Sequence, residues 1–273
     1  MAVSYRRKVL LIDFDPQANA SFSLLRPARY FDYLEQGRSI SACLTPQSRQ
    51  GDPFAVVGTA PLETISVNDY TVLLRRWMVS GSAVAQLDMI PGSLDLMRLA
   101  LNRLPPLAEQ FLESRWEALV DSARDSYDCV VIDCHPAGSF FTRSALLAFD
   151  AVAIPVTTDG FAATGLGMMR SFIQQWAPAG GAQKYVVVFN DPNNAWDATI
   201  ESSIRTDRRF VDKCLNVSVG YSTLFRKIAI RNRTAGEQPV PYRYRARSMI
   251  SRVTAELVEK FQRMQVFDET WSV

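Results

Sequence analysis

The chain has 273 residues, 48% of them hydrophobic and 21% charged, with a formal net charge of +2. This excludes a disordered, collagen-like or disulfide-stapled chain and leaves room for one large α/β domain or two small ones. No run approaches the length of a membrane-spanning helix and no signal peptide is visible, so membrane insertion is not expected. The four cysteines are scattered, with Cys129 and Cys134 read inside one buried strand, and His135, the only histidine, completes no zinc-ligand spacing with them. A reduced, cytoplasmic protein is expected. The charge is uneven: residues 201–250 hold eleven Arg/Lys against four Asp/Glu, a local +7. Such a patch points to an anionic partner or to a solvated face.

In chain order, Val9 to Ile12 is a continuous apolar run ending in Asp13-Phe14-Asp15-Pro16, which suits a strand buried on both faces. Residues 40–85 read as the least regular part. A strand is expected over 87–91, then a helix over 93–104 with Leu94, Met97, Leu101 and Leu104 on its apolar face. A second helix follows Pro105-Pro106, with Leu107, Phe111, Leu112, Trp116, Leu119 and Ala123 aligned. Residues 127–133 and 151–156 are expected as buried strands. The remaining elements are a helix over 162–176, a strand over 185–189, a helix over 196–205, and a last helix over 247–264 built on Ile250, Val253, Leu257 and Phe261. Strands alternating with helices at this spacing predict a doubly wound, mostly parallel α/β sheet in a single domain over 1–273.

Two of these strands end in aspartate, at Asp13/Asp15 and at Asp133. Ligands of open parallel sheets sit beyond the carboxyl ends of the strands, and carboxylates there can hold Mg²⁺ directly or through water. VLLIDFDPQAN at 9–19 resembles the second-strand motif of ParA/Soj partition ATPases, the deviant Walker A family. YDCVVIDCHP at 127–136 looks like the family's Walker B segment, FDAVAIPVTTDGFAATGL at 149–166 like the segment that follows, and LDMIPGSLDL at 87–96 is also similar. The resemblance runs in order across roughly residues 8–265. It implies a three-layer P-loop fold of the SIMIBI type. It also implies ATP and Mg²⁺ as cofactors, a homodimer formed across the nucleotide, non-specific DNA and a centromere-binding ParB-like protein as partners, and a nucleoid-associated place in the cytoplasm. Under it, Asp15 orients the attacking water or the metal, Asp133 holds Mg²⁺ through water, Asp13 supports the metal shell, and Gln17 lies near the nucleotide. Asn190 falls near an adenine in the complete fold, or in a turn before Pro192. His135 replaces a small or proline residue of the family pattern, and is read as packing beside the Walker B strand rather than as a ligand.

A phosphate-binding loop needs Gly-x-x-x-x-Gly-Lys-Ser/Thr, whose amides and lysine neutralise phosphate charge. The five lysines, at 8, 184, 213, 227 and 260, follow Arg, Gln, Asp, Arg and Glu, so there is no Gly-Lys pair. Set against the family pattern, the first strand–loop–helix unit is missing. Three explanations stand: an upstream segment, a truncated relative, or a slot filled by another segment or subunit. Residues 1–273 by themselves are expected to bind ATP weakly or not at all. The family's DNA-facing surface lies in the basic C-terminal third, where Arg226, Lys227, Arg231, Arg233, Arg243, Arg245 and Arg247 are the candidates. An extended 242–245 stretch would place both of its arginines on one side. Alternatives are a non-hydrolysing ParA-like partner or regulator and an ATPase of this fold that positions a protein cargo. The short, acidic C-terminus lacks the basic face of a membrane-anchoring helix.

Overall fold

The structure, a computed structural model, describes residues 1–45, 64–79, 82–101, 105–135, 139–223 and 242–271. By internal contacts the chain divides into two compact units, Met1–Ala145 and Leu146–Val273.

The first unit begins with α1 (Ala2–Tyr5) and β1 (Lys8–Asp13). Three short helices follow, α2 (Asn19–Leu24), α3 (Pro27–Glu35) and α4 (Ile40–Leu44), then β2 (Val72–Val79) and β3 (Ser82–Ile90). The unit continues through α5 (Asp95–Leu101), α6 (Pro106–Ser126) and β4 (Cys129–Asp133) into α7 (Phe140–Ala148), which crosses the unit boundary. Its sheet has the order β2-β3-β1-β4. β1 runs parallel to both neighbours, as the unbroken apolar run predicts, and β2 is antiparallel to β3 with register shifts near Arg75 and Met78. Residues alternate across β1. Leu11 packs with Leu25, Tyr30, Val72 and Met89 from the α2–α3 side. Phe14, just past the strand, stacks on Trp116 of α6 at 4.3 Å and meets the edge of Phe141 at 5.0 Å. The Trp116 indole N–H donates to the Ser144 carbonyl at 3.0 Å, which ties α6 to α7.

Several expectations change here. Within the stretch read as irregular, residues 72–79 pair antiparallel with the strand that begins at residue 82, so β3 starts well before residue 87. Of the apolar face predicted for α5, Leu94 is 61% and Leu101 78% exposed, Met97 is half-buried and Leu104 lies outside the described residues, while Leu96 and Leu99 are buried. Leu107 of α6 is likewise 75% exposed. β4 is half exposed rather than buried, with Val131 39% exposed, and Cys129 and Cys134 are only partly covered. On one side β4 pairs with β1, and among the described residues no strand pairs with its other side.

The second unit contains β5 (Val152–Val156), α8 (Ala162–Trp176), β6 (Tyr185–Phe189), α9 (Ala198–Thr206) and α10 (Tyr242–Arg263). β5 and β6 pair in parallel from Val152–Tyr185 to Val156–Phe189, although Ala153 and Pro155 of β5 are exposed where a buried strand was expected. Bridges Val187–Cys214 and Asn190–Val219 lay residues 214–219 alongside β6 in the same direction. Ile154, Val187 and Phe189 pack on one face with Leu166 and Ile173 of α8 and Ile204 of α9. Val186 and Leu215 pack on the other with Phe261 of α10, beside Val253 and Leu257. The second unit is therefore layered helix–sheet–helix. Ile250, predicted on the buried stripe of α10, is 40% exposed.

Phe14→Ala removes a ring stacked at full burial, and the expected loss of stability is about 3–5 kcal/mol by urea unfolding.

Candidate functional site

The register of β1 against β4 places Asp13 directly opposite Asp133 at the carboxyl ends of adjacent parallel strands. The two strand endings noted in the sequence thus meet. The Phe14 N–H donates to the Asp133 carbonyl at 2.8 Å and extends the ladder past the strand ends. Paired residues of a parallel ladder share a face, so Asp13 and Asp133 lie on the α2 side of the sheet, with Leu11.

Asp13 is fully buried, and its Oδ2 accepts from the Ser21 N–H at 2.7 Å and from the Ser21 hydroxyl at 2.6 Å. The same hydroxyl oxygen accepts the Gly92 N–H at 2.9 Å, and the Tyr30 hydroxyl donates to the Gly92 carbonyl at 3.1 Å. A Cβ on Gly92 would stand 2.9 Å from the Asp13 carbonyl oxygen, so only glycine lets the Pro91–Ser93 turn approach this closely. Asp15 follows in a tight turn: its Oδ1 accepts the Gln17 N–H at 2.9 Å and its carbonyl accepts the Ala18 N–H at 2.9 Å. The turn closes with Ala18 in the left-handed region at φ 52°. Gln17 is exposed, and its Oε1 accepts from the Asn19 side chain at 3.1 Å.

Burial pushes the Asp13 carboxyl above the usual carboxylate range against the pull of Ser21, and Asp133 adds to the rise. Asp133 keeps an exposed surface on the open edge of β4. Its carboxyl is raised first by the partial cover at the strand end and then by the charge of Asp15. Asp13 thus feels the charge of Asp133, and Asp133 that of Asp15, and a cation near Asp133 would relieve that repulsion. Among the described residues no group of three or more acidic, histidine or cysteine side chains is gathered closely enough to hold a metal ion directly. Asp13 is engaged by Ser21, which leaves Asp15 and Asp133 as the carboxylates suited to holding a hydrated Mg²⁺ through its waters. His135 is half-buried, and its carbonyl accepts from the Thr142 hydroxyl at 2.5 Å, so its backbone anchors the start of α7. Asn190, in the second unit, ends β6 and donates its N–H to the Val156 carbonyl at 2.8 Å. The turn after it is closed by Asp191, whose Oδ1 accepts the Ala195 N–H at 2.9 Å.

The model of the AAA domain family matches residues 1–179. The chain belongs to this family. Several of its curated relatives are of the ParA/Soj type. The sporulation initiation inhibitor protein Soj of Bacillus subtilis is 26% identical over 168 residues, covering 62% of this chain and 53% of Soj. A ParA family protein of Chlamydia pneumoniae is 29% identical over 175 residues, covering 64% and 56%. The chain spans about half the length of the curated relatives it matches. A plasmid partition protein of Borrelia burgdorferi solved with AMPPNP shares the fold at TM-score 0.60 and 19% identity, over 93% of this chain and 89% of that one. The pNOB8 ParA bound to nonspecific DNA does so at TM-score 0.54 and 18% identity, over 95% and 88%. The AAA-domain match covers the whole carboxylate site, and the ParA-type neighbours agree with the mixed, mostly parallel α/β architecture.

The basic segment of this AAA-domain protein is partly neutralised within the second unit. Arg205 pairs with Glu201 at 2.7 Å and Arg209 with Asp207 at 2.6 Å, while Lys213 donates to the Gln183 carbonyl at 2.6 Å. Arg226, Lys227, Arg231 and Arg233 lie outside the described residues. Residues 242–245 are helical, not extended: α10 starts directly after Pro241, where proline favours a helix start, and positions 243 and 245 fall about 200° apart around its axis. Arg247 is exposed on the same helix. No helix of the described residues is long and apolar enough to cross a membrane.

Ser21 and Gly92 were not singled out from the sequence, although the Pro91-Gly92-Ser93 turn lies inside one of the family-like segments. Ser21→Ala strips a fully buried carboxylate of a donor and the Gly92 N–H of its acceptor. A loss of about 1–3 kcal/mol in urea unfolding is expected, with a similar loss for Gly92→Ala through overpacking. Asp13 and Asp133 hold protons more tightly folded than unfolded. Their contribution to stability is therefore fully present below the unfolded carboxylate pKa and falls as pH rises through the folded values. Asp15→Asn should lower the Asp133 midpoint in a carboxyl NMR titration. An unmoved midpoint would mean that the two charges do not interact.

Proposed function

We propose that the protein is a ParA-type partition ATPase component in which Asp15 and Asp133 serve Mg²⁺-dependent ATP hydrolysis. The observation that carries the reading is the pairing of Asp13 with Asp133 at neighbouring strand ends, with Asp15 beside them. Asp13, locked by Ser21, is the positioning member that fixes the strand end and the turn carrying Asp15. Asp133, exposed at the open edge, is free to contact metal-bound water. Mg²⁺, when bound, would neutralise charge on the phosphates, so the protein's own work is orientation of water and charge placement.

Residues 1–273 hold no Gly-Lys pair, so they do not by themselves supply the lysine and amide cradle such chemistry uses. The open edge of β4 is the place where a strand carrying a glycine–lysine loop would pair, which would bring the loop beside Asp133. In that assembled state we propose dimerisation across the nucleotide, non-specific DNA binding through the basic C-terminal third, Arg247 included, and stimulation by a ParB-like partner. The solved relatives carrying AMPPNP and nonspecific DNA support this reading.

Calorimetry with Mg²⁺–ATP on residues 1–273, beside a version extended upstream in the same reading frame, tests it. Binding only by the extended version is the expected outcome. If neither binds while residues 1–273 are folded, the ATPase reading fails and a nucleotide-independent partner role takes its place. For the DNA surface, Arg247→Ala in a nucleotide-bound form should weaken binding equally across sequences and reduce the salt slope by about one.

A further inference from the structure

Phe14 stands between the two aspartates of the strand-end motif, and its ring leaves the sheet on the face opposite Asp13. On the α2 side Asp13 is held by Ser21. On the other side the Phe14 ring enters an aromatic cluster closed to solvent. It lies flat on Trp116 of α6, 8° from parallel, and meets the edge of Phe141 of α7. Phe14 and Phe141 have no exposed surface, and Trp116 has 2%. The plane of Trp116 is fixed in turn, because its indole N–H is bonded to the Ser144 carbonyl. The course of the chain after β1 is therefore pinned from both faces of the sheet. The Asp15 turn starts from these pins: its carbonyl accepts the Ala18 N–H, and Ala18 is fully buried with φ 52°. A left-handed alanine persists only where its surroundings over-determine it.

We propose that Trp116 is a positioning residue for Asp15, acting through the Phe14 ring to hold the turn that aims the Asp15 carboxylate. Its part in hydrolysis rests on the partition reading; its part in holding the turn does not. The flat face is what matters. A ring stacked on an indole resists tilting, and a tilt of Phe14 carries its backbone, and so the next residue, with it. Leucine at 116 would fill part of the volume and offer no such face. Phenylalanine would keep the face and lose only the N–H to Ser144. Displacing a group that orients a reactant by about 1 Å can lower a rate on the order of a hundredfold, so a buried ring with no reactant to touch can still govern turnover.

Amide hydrogen exchange followed by NMR on residues 1–273 tests the placement without any nucleotide. In Trp116→Leu the Ala18 amide should exchange about tenfold faster, over and above any change at Leu10 in the middle of β1, because the turn opens locally while the sheet reports global stability. Trp116→Phe should leave the Ala18 to Leu10 ratio at its wild-type value. If Trp116→Leu lacks the wild-type circular dichroism spectrum, Phe14→Leu removes the same stack from the other side and carries the same expectation. In the version extended upstream, Trp116→Leu should lower kcat for ATP about tenfold with KM unchanged, and Trp116→Phe should restore it. The proposal is overturned if Ala18 and Leu10 speed up alike, or if Ala18 does not respond. A faster Ala18 amide with unchanged kcat upholds Trp116 as the holder of the turn and removes Asp15 from hydrolysis. An extended version that hydrolyses no ATP overturns the partition reading, and exchange alone then decides the placement.

Discussion

One buried carboxylate holds the first unit together at its functional end. Asp13 is fully buried, and two donors from Ser21 meet its Oδ2 while the Asp15 N–H reaches its Oδ1 at 3.4 Å. Charge-assisted hydrogen bonds of this kind are strong, and leaving such a group unpaired is expensive. The interaction therefore fixes more than one residue. It pins the start of α2 to the end of β1 and, through the Ser21 hydroxyl, draws the Gly92 turn against the same point. The tight turn that carries Asp15 and Gln17 is spanned between these anchors, and the left-handed Ala18 is the local strain it sustains.

The structure sets the two aspartates of the motif in different surroundings. By the resemblance, Asp13 supports the metal shell and Asp15 orients the attacking water or the metal. In the fold Asp13 is enclosed and bound by Ser21, while Asp15 and Asp133 keep access to solvent and the Asp15 charge raises the Asp133 carboxyl. The division follows from alternation along a strand and from where the strand ends. Asp13 is the last residue to point into the layer between sheet and α2. Asp15 falls beyond it, where the chain has already turned.

Legibility in the sequence tracked how local the determining forces are. β6 and α8 match their predicted bounds because an unbroken apolar run and a clean helical period, each bounded by Gly or Pro, leave little competition. The meeting of Asp13 and Asp133 was readable from two strand endings of the same type. The Ser21–Gly92 contact was not, since its members lie 71 positions apart and neither residue type is distinctive. The α2–α3 helices and the β2 strand were missed because short elements carry too few residues to show a period, and Arg75-Arg76 interrupts the apolar pattern of β2. The predicted stripe on α5 failed differently. Its leucines are correctly spaced, but tertiary placement buries Leu96 and Leu99 instead, a choice that periodicity does not encode. At α10, the arginines of 242–245 would share a side only in an extended chain, and the helix there sets them apart.

The open side of β4 has a consequence for handling the protein. Soluble proteins usually guard a strand edge with a lysine, a proline or a bulge, and Cys-Val-Val-Ile-Asp has only its terminal aspartate for that purpose. Such a strand is a template for another extended chain, and pairing between two copies rises with the square of concentration. Residues 1–273 should thus keep best when dilute, and lose soluble material on concentration faster than their overall charge suggests. A single lysine in place of exposed Val131 would be enough to guard the edge, with the rest of the sheet left as it is.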